Sequence, residues 1–516
     1  MRQLRHHGRR CSLRTEQTVT QHSFSATPPG TLQHRTMLWL ALRFPRLALE
    51  IHARACESSQ VLALAEARGI RPRLLLCNAA AHARGIHPGM TPASAFALCG
   101  SLKVIPRTLH LEQEALEHIA AWACQFTPKI SIAGTAELLL EIGGSASLFS
   151  GVRQLRRRIG KNLRHLGYEC TMACAPTPQA ALWLVRAGIS ACIENAGQLE
   201  QCLENIPVTV LEIPESAAAL ESFGLGSIGS CLRLPRAGLA RRIAPQTMDE
   251  IDRALGRLPD PRLPFKLPEK FISRLELPAP ATQAGALLFA GQRLCAELHG
   301  YLSARDLGAQ QLCWTLHHER RGQTELTLEL AAASRNAEHL LALLRERLAR
   351  TMLPRPVMAI ELACTRLQAL ASSSSALLPA QSDRSLATRS LLDLLQARLG
   401  PAAVYGLEQC ADHRPERAWR TCTPGAGSRT SVAAAPGHRP LWLLPQPRLL
   451  HERDAAPRHD GPLTLLAGPE RIEYGWWDDQ PAVRDYFIAR DVQQALLWIY
   501  RERCADGRWF LHGFFS

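Results

Sequence analysis

Lysine is almost missing from this chain: only five of its 60 basic residues are lysine, so the formal charge of +14 is carried by arginine. Guanidinium suits bidentate contact with phosphate, but a GC-rich genome produces the same bias, and composition leaves both causes open. No apolar run reaches 18 residues, so no transmembrane helix is expected. The sixteen cysteines include no CxxC pair and no Cys/His group at zinc spacing, which excludes zinc-ribbon and thioredoxin-type readings and leaves reduced, mostly buried thiols. The nineteen histidines are also scattered; His317 and His318 adjoin in a strand pattern and point to opposite faces, against a shared metal.

The first 36 residues lack apolar periodicity altogether. They hold six arginines against one acid, Glu16, with many Thr, Ser, His and Gln, and are read as a disordered extension ahead of a start at Met37. Arg9 and Arg10 are not followed by an apolar h-region before Pro28, so no twin-arginine export signal is expected. The expected location is the cytoplasm, in association with the nucleoid.

What is present begins at Leu38 to Glu50, LWLALRFPRLALE, an apolar strand turning into a helix. Ile130 to Gly151, ISIAGTAELLLEIGGSASLFSG, reads as a second central strand bounded by glycine turns. These two segments resemble the palm motifs of Y-family DNA polymerases, DxDxFFAxVE and SxDEAYLDxT. Aligned on the apolar runs, the acidic positions fall on Ala41 and Arg43 in the first motif and on Ala136 and Glu137 in the second, with a later acid at Glu141. Two-metal phosphoryl transfer requires hard oxygen ligands for Mg²⁺. Alanine offers none, and an arginine beside a dication is repelled by several kcal/mol even at an effective dielectric of about 20.

The nucleotide side is depleted in the same way. Asn78 to Gly100, NAAAHARGIHPGMTPASAFALCG, resembles the fingers motif whose Tyr and Arg hold the triphosphate, but those positions are Ala79 and His82. Cys174 to Gly188, CAPTPQAALWLVRAG, resembles the helix that carries two lysines, here Pro178 and Leu182. Residues that shape the backbone, such as Gly85, Gly89, Met90 and Pro176, remain where the charged ligands do not.

Further along, Ile206 to Arg242 contains Phe223-Gly-Leu-Gly-Ser-Ile-Gly229 in the form of a helix-hairpin-helix turn. Gly224, Gly226 and Gly229 would let backbone amides approach a phosphate, with Arg233, Arg236, Arg241 and Arg242 close by. After the Pro-rich segment Leu258 to Pro268, a β-α-β-β-α-β order is predicted. Its strands are Phe271 to Leu277, Gln311 to His318, Thr324 to Leu330 and Val357 to Cys364, and its helices Thr282 to Ala304 and Asn336 to Arg350. Alternate side chains such as Arg274, Thr315 and His317 face either a DNA groove or solvent.

A serine-rich linker, Ala371 to Ala376, precedes a tail that opens with a helix at Leu391 to Leu399 and holds ADHRPERAWR, GPERIEYGWWDD and WFLHGFFS. The density of aromatic and arginine residues there calls either for a small β module or for a partner-binding face built on Arg414, Arg417, Trp419, Trp476, Trp477, Trp509, Phe510, Phe514 and Phe515.

Together with the depleted palm, these tail strings resemble the ImuB family, catalytically defective Y-family (DinB/UmuC-like) homologues of bacterial mutagenesis cassettes. The resemblance implies a multi-domain α/β right hand plus a C-terminal interaction region: palm and fingers over 37–200, a helix-hairpin-helix thumb over 201–262, a βαββαβ little finger over 263–370, a linker over 371–384 and a partner-binding region over 385–516. It implies DNA binding without DNA synthesis, no cofactor and no metal. The implied role is that of a damage-induced (SOS) adaptor bringing an error-prone C-family polymerase and a RecA-like ImuA protein to the β sliding clamp. The clamp peptide usual in such linkers has its nearest counterpart in Gln381-Ser-Asp-Arg-Ser-Leu386, which keeps the glutamine but places Arg384 and Ser385 at anchor positions. The alternatives are an active lesion-bypass polymerase, with Glu50, Glu137 and Glu141 as substitute carboxylates, and a general DNA-binding repair factor.

Overall fold

The computed structural model describes residues 37–55, 59–66, 72–320, 322–370, 380–400, 402–422, 424, 439–503 and 507–515. The N-terminal extension and the serine-rich linker lie outside them. No described helix is long and apolar enough to cross a membrane.

The palm-like unit is an antiparallel sheet in the order Ile130–Ala133, Glu137–Glu141, Trp39–Arg43, Thr171–Ala175. Its central strand reads as an unbroken apolar run because both faces are covered. Leu38, Leu40 and Leu42 share one core with Leu138, Leu140 and the helices Leu109–Ala123 and Val152–Leu166. In the second of these helices Leu155, Ile159, Leu163 and Leu166 are buried at the three-to-four spacing of a single face. Trp39, Ala41, Leu139 and Ala173 face the other way, into a core made with the helix Pro178–Arg186.

That second core runs without a break into the thumb-like helices Pro214–Ser222, Ile228–Leu232, Arg236–Ala240 and Pro245–Ala254. The buried carboxylate of Glu250 fastens the junction, accepting from Trp183 Nε1 and from Gln179 Nε2, each at 2.8 Å. A small fingers-like sheet, Leu74–Cys77, Leu62–Ala65 and Lys103–Pro106, has its own core.

The next unit has the β-α-β-β-α-β order: strands Phe271–Ala281, Leu307–His318, Gly322–Ser334 and Val357–Ala369, with helices Ala284–Arg305 and Ala337–Ala349 packed on one face. The strands run several residues longer than predicted, extended at the end of Phe271–Ala281, the start of Leu307–His318, both ends of Gly322–Ser334 and the end of Val357–Ala369. The unit is tied to the palm by buried charge. Arg54, after the first helix, donates to both Glu297 and the Tyr168 hydroxyl, and Ser273 Oγ donates to the other oxygen of Glu297 at 2.6 Å. Burial disfavours the ionised form of Glu297, but the Arg54 charge prevails and lowers its pKa. Beside this tie Gly300 lies against the Trp122 ring, where a Cβ would collide.

The helix that opens the tail starts at Ala380, inside the expected linker, and continues to Leu399. It packs on the little-finger-like unit: buried Asp393 accepts from the Ala331 amide at 2.7 Å and pairs with His339 Nε2 at 2.9 Å. This helix therefore belongs physically to the preceding unit. Beyond it, five antiparallel strands form a sheet in the order Trp442–Leu449, Trp509–Phe514, Leu496–Glu502, Ala482–Arg490, Thr464–Tyr474, flanked by the pair Gly406–Gln409 and Trp419–Cys422. Of the two arrangements open to the tail, the chain builds the β module.

Candidate functional site

Arg43 stands directly across from Glu137 in the palm register, and Ala41 stands across from Leu139. Ala41 is fully buried, at 0% exposure, among apolar side chains that include Leu182. Ala136 sits in the turn before the strand, where its carbonyl accepts from the Phe44 amide at 2.9 Å.

Glu137 is the only acid on this strand near Arg43, and it is already engaged. Arg186 donates to it from Nε at 3.1 Å and from Nη2 at 2.8 Å, and Arg43 Nε lies 3.6 Å away. Arg43 Nη1 in turn donates to the Arg186 carbonyl at 3.1 Å. With Glu212 on Arg186 Nη1 at 3.5 Å, the two guanidiniums and two carboxylates line an open cleft of about 510 Å³ and leave it neutral. Arg186 was not singled out from the sequence, although it lies in the segment that has lost both lysines.

The other two carboxylates face elsewhere. Glu141 Oε1 accepts from the Gly143 amide at 3.0 Å, and Glu50 Oε1 from the Glu169 amide at 3.2 Å. Burial pushes the Glu50 carboxyl up to about 7, and its Oε2 has no hydrogen-bond partner. Glu50, Glu137 and Glu141 thus have three separate sets of partners.

A second cavity of about 300 Å³ lies between palm and fingers, lined by Arg43, Phe44, Leu64, Leu76, Arg107 and Ala136. Arg107 is held by Glu112 through two bonds of 2.7 and 2.8 Å. Ala79 opens the short helix Ala79–His82, capped by Asn78, and His82 is exposed with its Nδ1 3.2 Å from that of His87. Pro178 and Leu182 are buried in the helix that carries Arg186.

In the thumb-like hairpin Gly224 takes a left-handed φ of +74° and Gly226 is open to solvent on its Cβ side. Gly229 must be corrected as a phosphate-facing residue. Its amide donates to the Glu204 carbonyl at 2.9 Å, and a Cβ there would collide with Glu204. Arg233 is paired with Glu204 at 2.7 Å, and Arg236 grips the buried Asp252 with two nitrogens. These two arginines are spent on internal pairs. Arg241 is exposed, and exposed Arg242 lies over the Phe223 ring at 5.1 Å.

The open face of the four-stranded sheet is acidic. By register Arg274, Thr315 and His317 share it with Glu276, Glu325, Glu329 and Glu361. Arg274 pairs with Glu276 at 2.7 Å and His317 Nε2 with Glu361 at 3.1 Å, which leaves a surplus of carboxylate. Such a face repels phosphate, so of the two readings the solvated one fits.

The impB/mucB/samB family matches residues 59–185. Two curated proteins named ImuB, from Caulobacter vibrioides strains NA1000 / CB15N and CB 15, are each 26% identical over 461 residues, covering 84% of this chain and all of theirs. The chain is a homologue of ImuB.

It is therefore a Y-family polymerase-related protein of mixed α/β architecture, with a strand-rich region added at the C-terminus. Among solved structures, the insertion ternary complex of Dbh DNA polymerase is 15% identical, with a TM-score of 0.36 over 63% of this chain and 98% of that one. DinB from Sulfolobus solfataricus is also 15% identical, with a TM-score of 0.35 over 64% of this chain and 98% of its own.

In this ImuB homologue the tail residues divide into two sets. Trp509 is buried in the β module, and Phe510, Phe514 and Phe515 pack against its two small cores, so these four are corrected from partner contacts to core. Arg414 is also buried, held by Asp412 at 2.7 Å and by Asp478 at 2.7 Å. Arg417 joins it on Asp478 at 3.1 Å, and Glu416 pairs with Arg484 at 2.8 Å. ADHRPERAWR is thus stitched to the sheet. Trp419, Trp476 and Trp477 remain outside, at 51%, 81% and 55% exposure, and the last two stand edge to face with ring centroids 5.3 Å apart.

Gln381 and Leu386 lie in the first turns of the Ala380–Leu399 helix, and their side chains are outside the described residues. Sequence reasoning also missed the cluster of Tyr486, Trp498 and His512 inside the sheet, where Tyr486 OH is 2.9 Å from His512 Nδ1. The signal was available in the alternation of those strands.

Proposed function

We propose that this chain is a non-catalytic, DNA-binding adaptor of damage-induced translesion synthesis. The observation that carries this reading is the Arg43–Glu137–Arg186 cluster. In a cleft where a polymerase would gather carboxylates around Mg²⁺, the available acid is bonded to guanidinium and its neighbour Ala41 is sealed in hydrocarbon. Glu50 and Glu141 do not supply replacements, because their carboxylates are engaged by separate backbone amides, those of Glu169 and Gly143.

Duplex binding falls to the thumb-like hairpin, through Gly224, Gly226, Arg241 and Arg242, rather than to the acidic sheet. Recruitment falls to the β module, whose exposed Trp419, Trp476 and Trp477 form the aromatic anchors of a protein interface. Its partners are a C-family error-prone polymerase and a RecA-like, ImuA-type protein, a reading supported by the relatedness to ImuB. A sliding clamp would read an extended peptide, and the helical backbone at Gln381 and Leu386 works against docking there. Clamp contact through that segment requires its first turns to unwind.

Primer extension on an undamaged template with Mg²⁺ or Mn²⁺, with DNA binding followed in the same samples, tests the proposal. Binding without extension is expected; extension abolished by Glu137→Ala would establish an active polymerase instead. Removal of residues 402–516 separates an adaptor from a general repair factor. The adaptor loses lesion bypass in cells while keeping DNA affinity, whereas a general repair factor keeps both.

A further inference from the structure

Two cysteines separated by the Arg186 helix meet at the edge of the palm sheet. Cys174 lies near the end of the strand Thr171–Ala175, and the chain returns after the helix Pro178–Arg186 to run beside it. The Cys174 amide donates to the Ala191 carbonyl and the Ile193 amide to the Cys174 carbonyl, both at 2.9 Å, so Cys192 is the register partner of Cys174 in a parallel bridge. As bridge partners the two residues lie side by side on neighbouring stretches of backbone. One is buried and the other exposed.

The surroundings treat the two thiols differently. The neighbouring Cys174 thiol and the nearby Arg156 guanidinium bring the Cys192 thiol down to about 7, against the opposing effects of burial and of Glu194, whose Oε1 is 3.7 Å from Sγ. Arg156 is held in place by the Met172 carbonyl at 3.0 Å and by Ser190 Oγ at 3.2 Å. Cys174 is shifted upward by the neighbouring Cys192 thiol and by burial. An exposed, more acidic thiol next to a buried partner is the arrangement of an attacking and a resolving cysteine.

We infer that Cys192 and Cys174 form a peroxide-driven, reversible disulfide that closes a loop around the helix carrying Arg186. The Cys192 thiolate attacks a hydroperoxide oxygen, the O–O bond breaks, and an alcohol or water leaves with a proton, giving a sulfenic acid. The Cys174 sulfur then attacks the Cys192 sulfur. The S–O bond breaks, the S–S bond forms, and the departing hydroxide takes the Cys174 proton as water. Two thiols lose two electrons and one hydroperoxide is reduced. The cross-link would pin the connector to the sheet and fix the helix whose last residue holds Glu137.

The test treats the full chain with hydrogen peroxide, blocks the remaining thiols, and maps linked peptides by mass spectrometry before and after reduction. A reducible Cys174–Cys192 peptide is expected, absent in Cys192→Ser. In Cys174→Ala, Cys192 should instead accumulate as a dimedone-trapped sulfenic acid. At pH 7 a thiol near 7 is about half ionised, against about 3% for an ordinary one; allowing for weaker nucleophilicity, Cys192 should alkylate roughly threefold faster than the cysteine of a short unstructured peptide. Absence of the linked peptide, or alkylation of Cys192 no faster than of that peptide, would overturn the assignment.

Discussion

Arg186 holds both oxygens of Glu137, Nη2 at 2.8 Å from one and Nε at 3.1 Å from the other, while Arg43 shares the same carboxylate from across the register. One acid is therefore shared by two cations, and Glu212 supplies the second negative charge. Glu137→Ala leaves Arg186, which is mostly buried, without its closest counter-charge. The expected loss is about 2 kcal/mol in urea denaturation, below the range for a fully buried pair because Arg186 keeps some solvent. Glu137→Gln should lose less, since its amide oxygen still accepts one bond.

Restoring an acid at position 41 should fail. The Ala41 Cβ points into hydrocarbon bounded by Leu139, Ala173 and the Arg186 helix. Ala41→Asp would bury a carboxylate there with no donor, at a cost of about 3 to 5 kcal/mol, larger at pH 8 than at pH 5 because the protonated acid is the cheaper form to bury. Equal stability of variant and parent at pH 8 would show that the position is not sealed.

The thumb arginines separate by partner. Arg241→Ala with Arg242→Ala should flatten the dependence of log K on log salt by about 2, at roughly 0.9 per phosphate contact. Arg236→Ala should leave that slope unchanged and lower the thermal midpoint, because its guanidinium is committed to Asp252. The reverse pattern would move the DNA interface away from residues 241 and 242.

Glu50 gives the palm a pH dependence of unusual sign. Burial raises its pKa from 4.5 to about 7, so between those values the folded state binds more protons than the unfolded chain and stability falls as pH rises. The contribution is at most about 3 kcal/mol, fully felt above pH 7. Glu50→Gln should therefore be more stable than the parent at pH 8 and show little difference at pH 4.5, as read by denaturant midpoints.

The β module should respond in the opposite direction. Burial lowers His512 from 6.5 to about 4, so the unfolded chain takes up the proton first and stability is lost as pH falls from about 6.5 towards 4. Tryptophan fluorescence from Trp498, stacked on the imidazole with centroids 5.6 Å apart, reports this loss. His512→Phe should flatten the acid limb.

Much of the fold could be read from residues in order. The βαββαβ unit was legible because its strands alternate, as in Leu312, Trp314 and Leu316 facing inward, and because its helices repeat leucine at three and four. Arg186 was not legible as a site residue: it lies 49 positions from Glu137, and only the packing of its helix on the sheet brings the two together. The acidic sheet face was hidden because Glu276, Glu325, Glu329 and Glu361 come from three strands that only the register aligns. In the tail, aromatic residues line both faces of the last strand, so period alone could not place Trp509 in the core, and exposed Trp476 lies in a turn where no period applies. Nearness to the hairpin likewise suggested four arginines for phosphate, but Arg233 and Arg236 had acids waiting elsewhere in the chain.

The tie from Arg54 to Glu297 and Tyr168 has a kinetic consequence. A hydrocarbon seam can peel open one contact at a time, but two buried opposite charges cannot part by a few ångströms without standing unscreened in a poor dielectric. Intermediate separations of the palm and the four-stranded unit are therefore scarcely populated. Binding that waits on such an opening would show a rate that saturates with duplex concentration; this chain should instead meet DNA with the gap already set, at a rate that rises in proportion to duplex until mixing limits it.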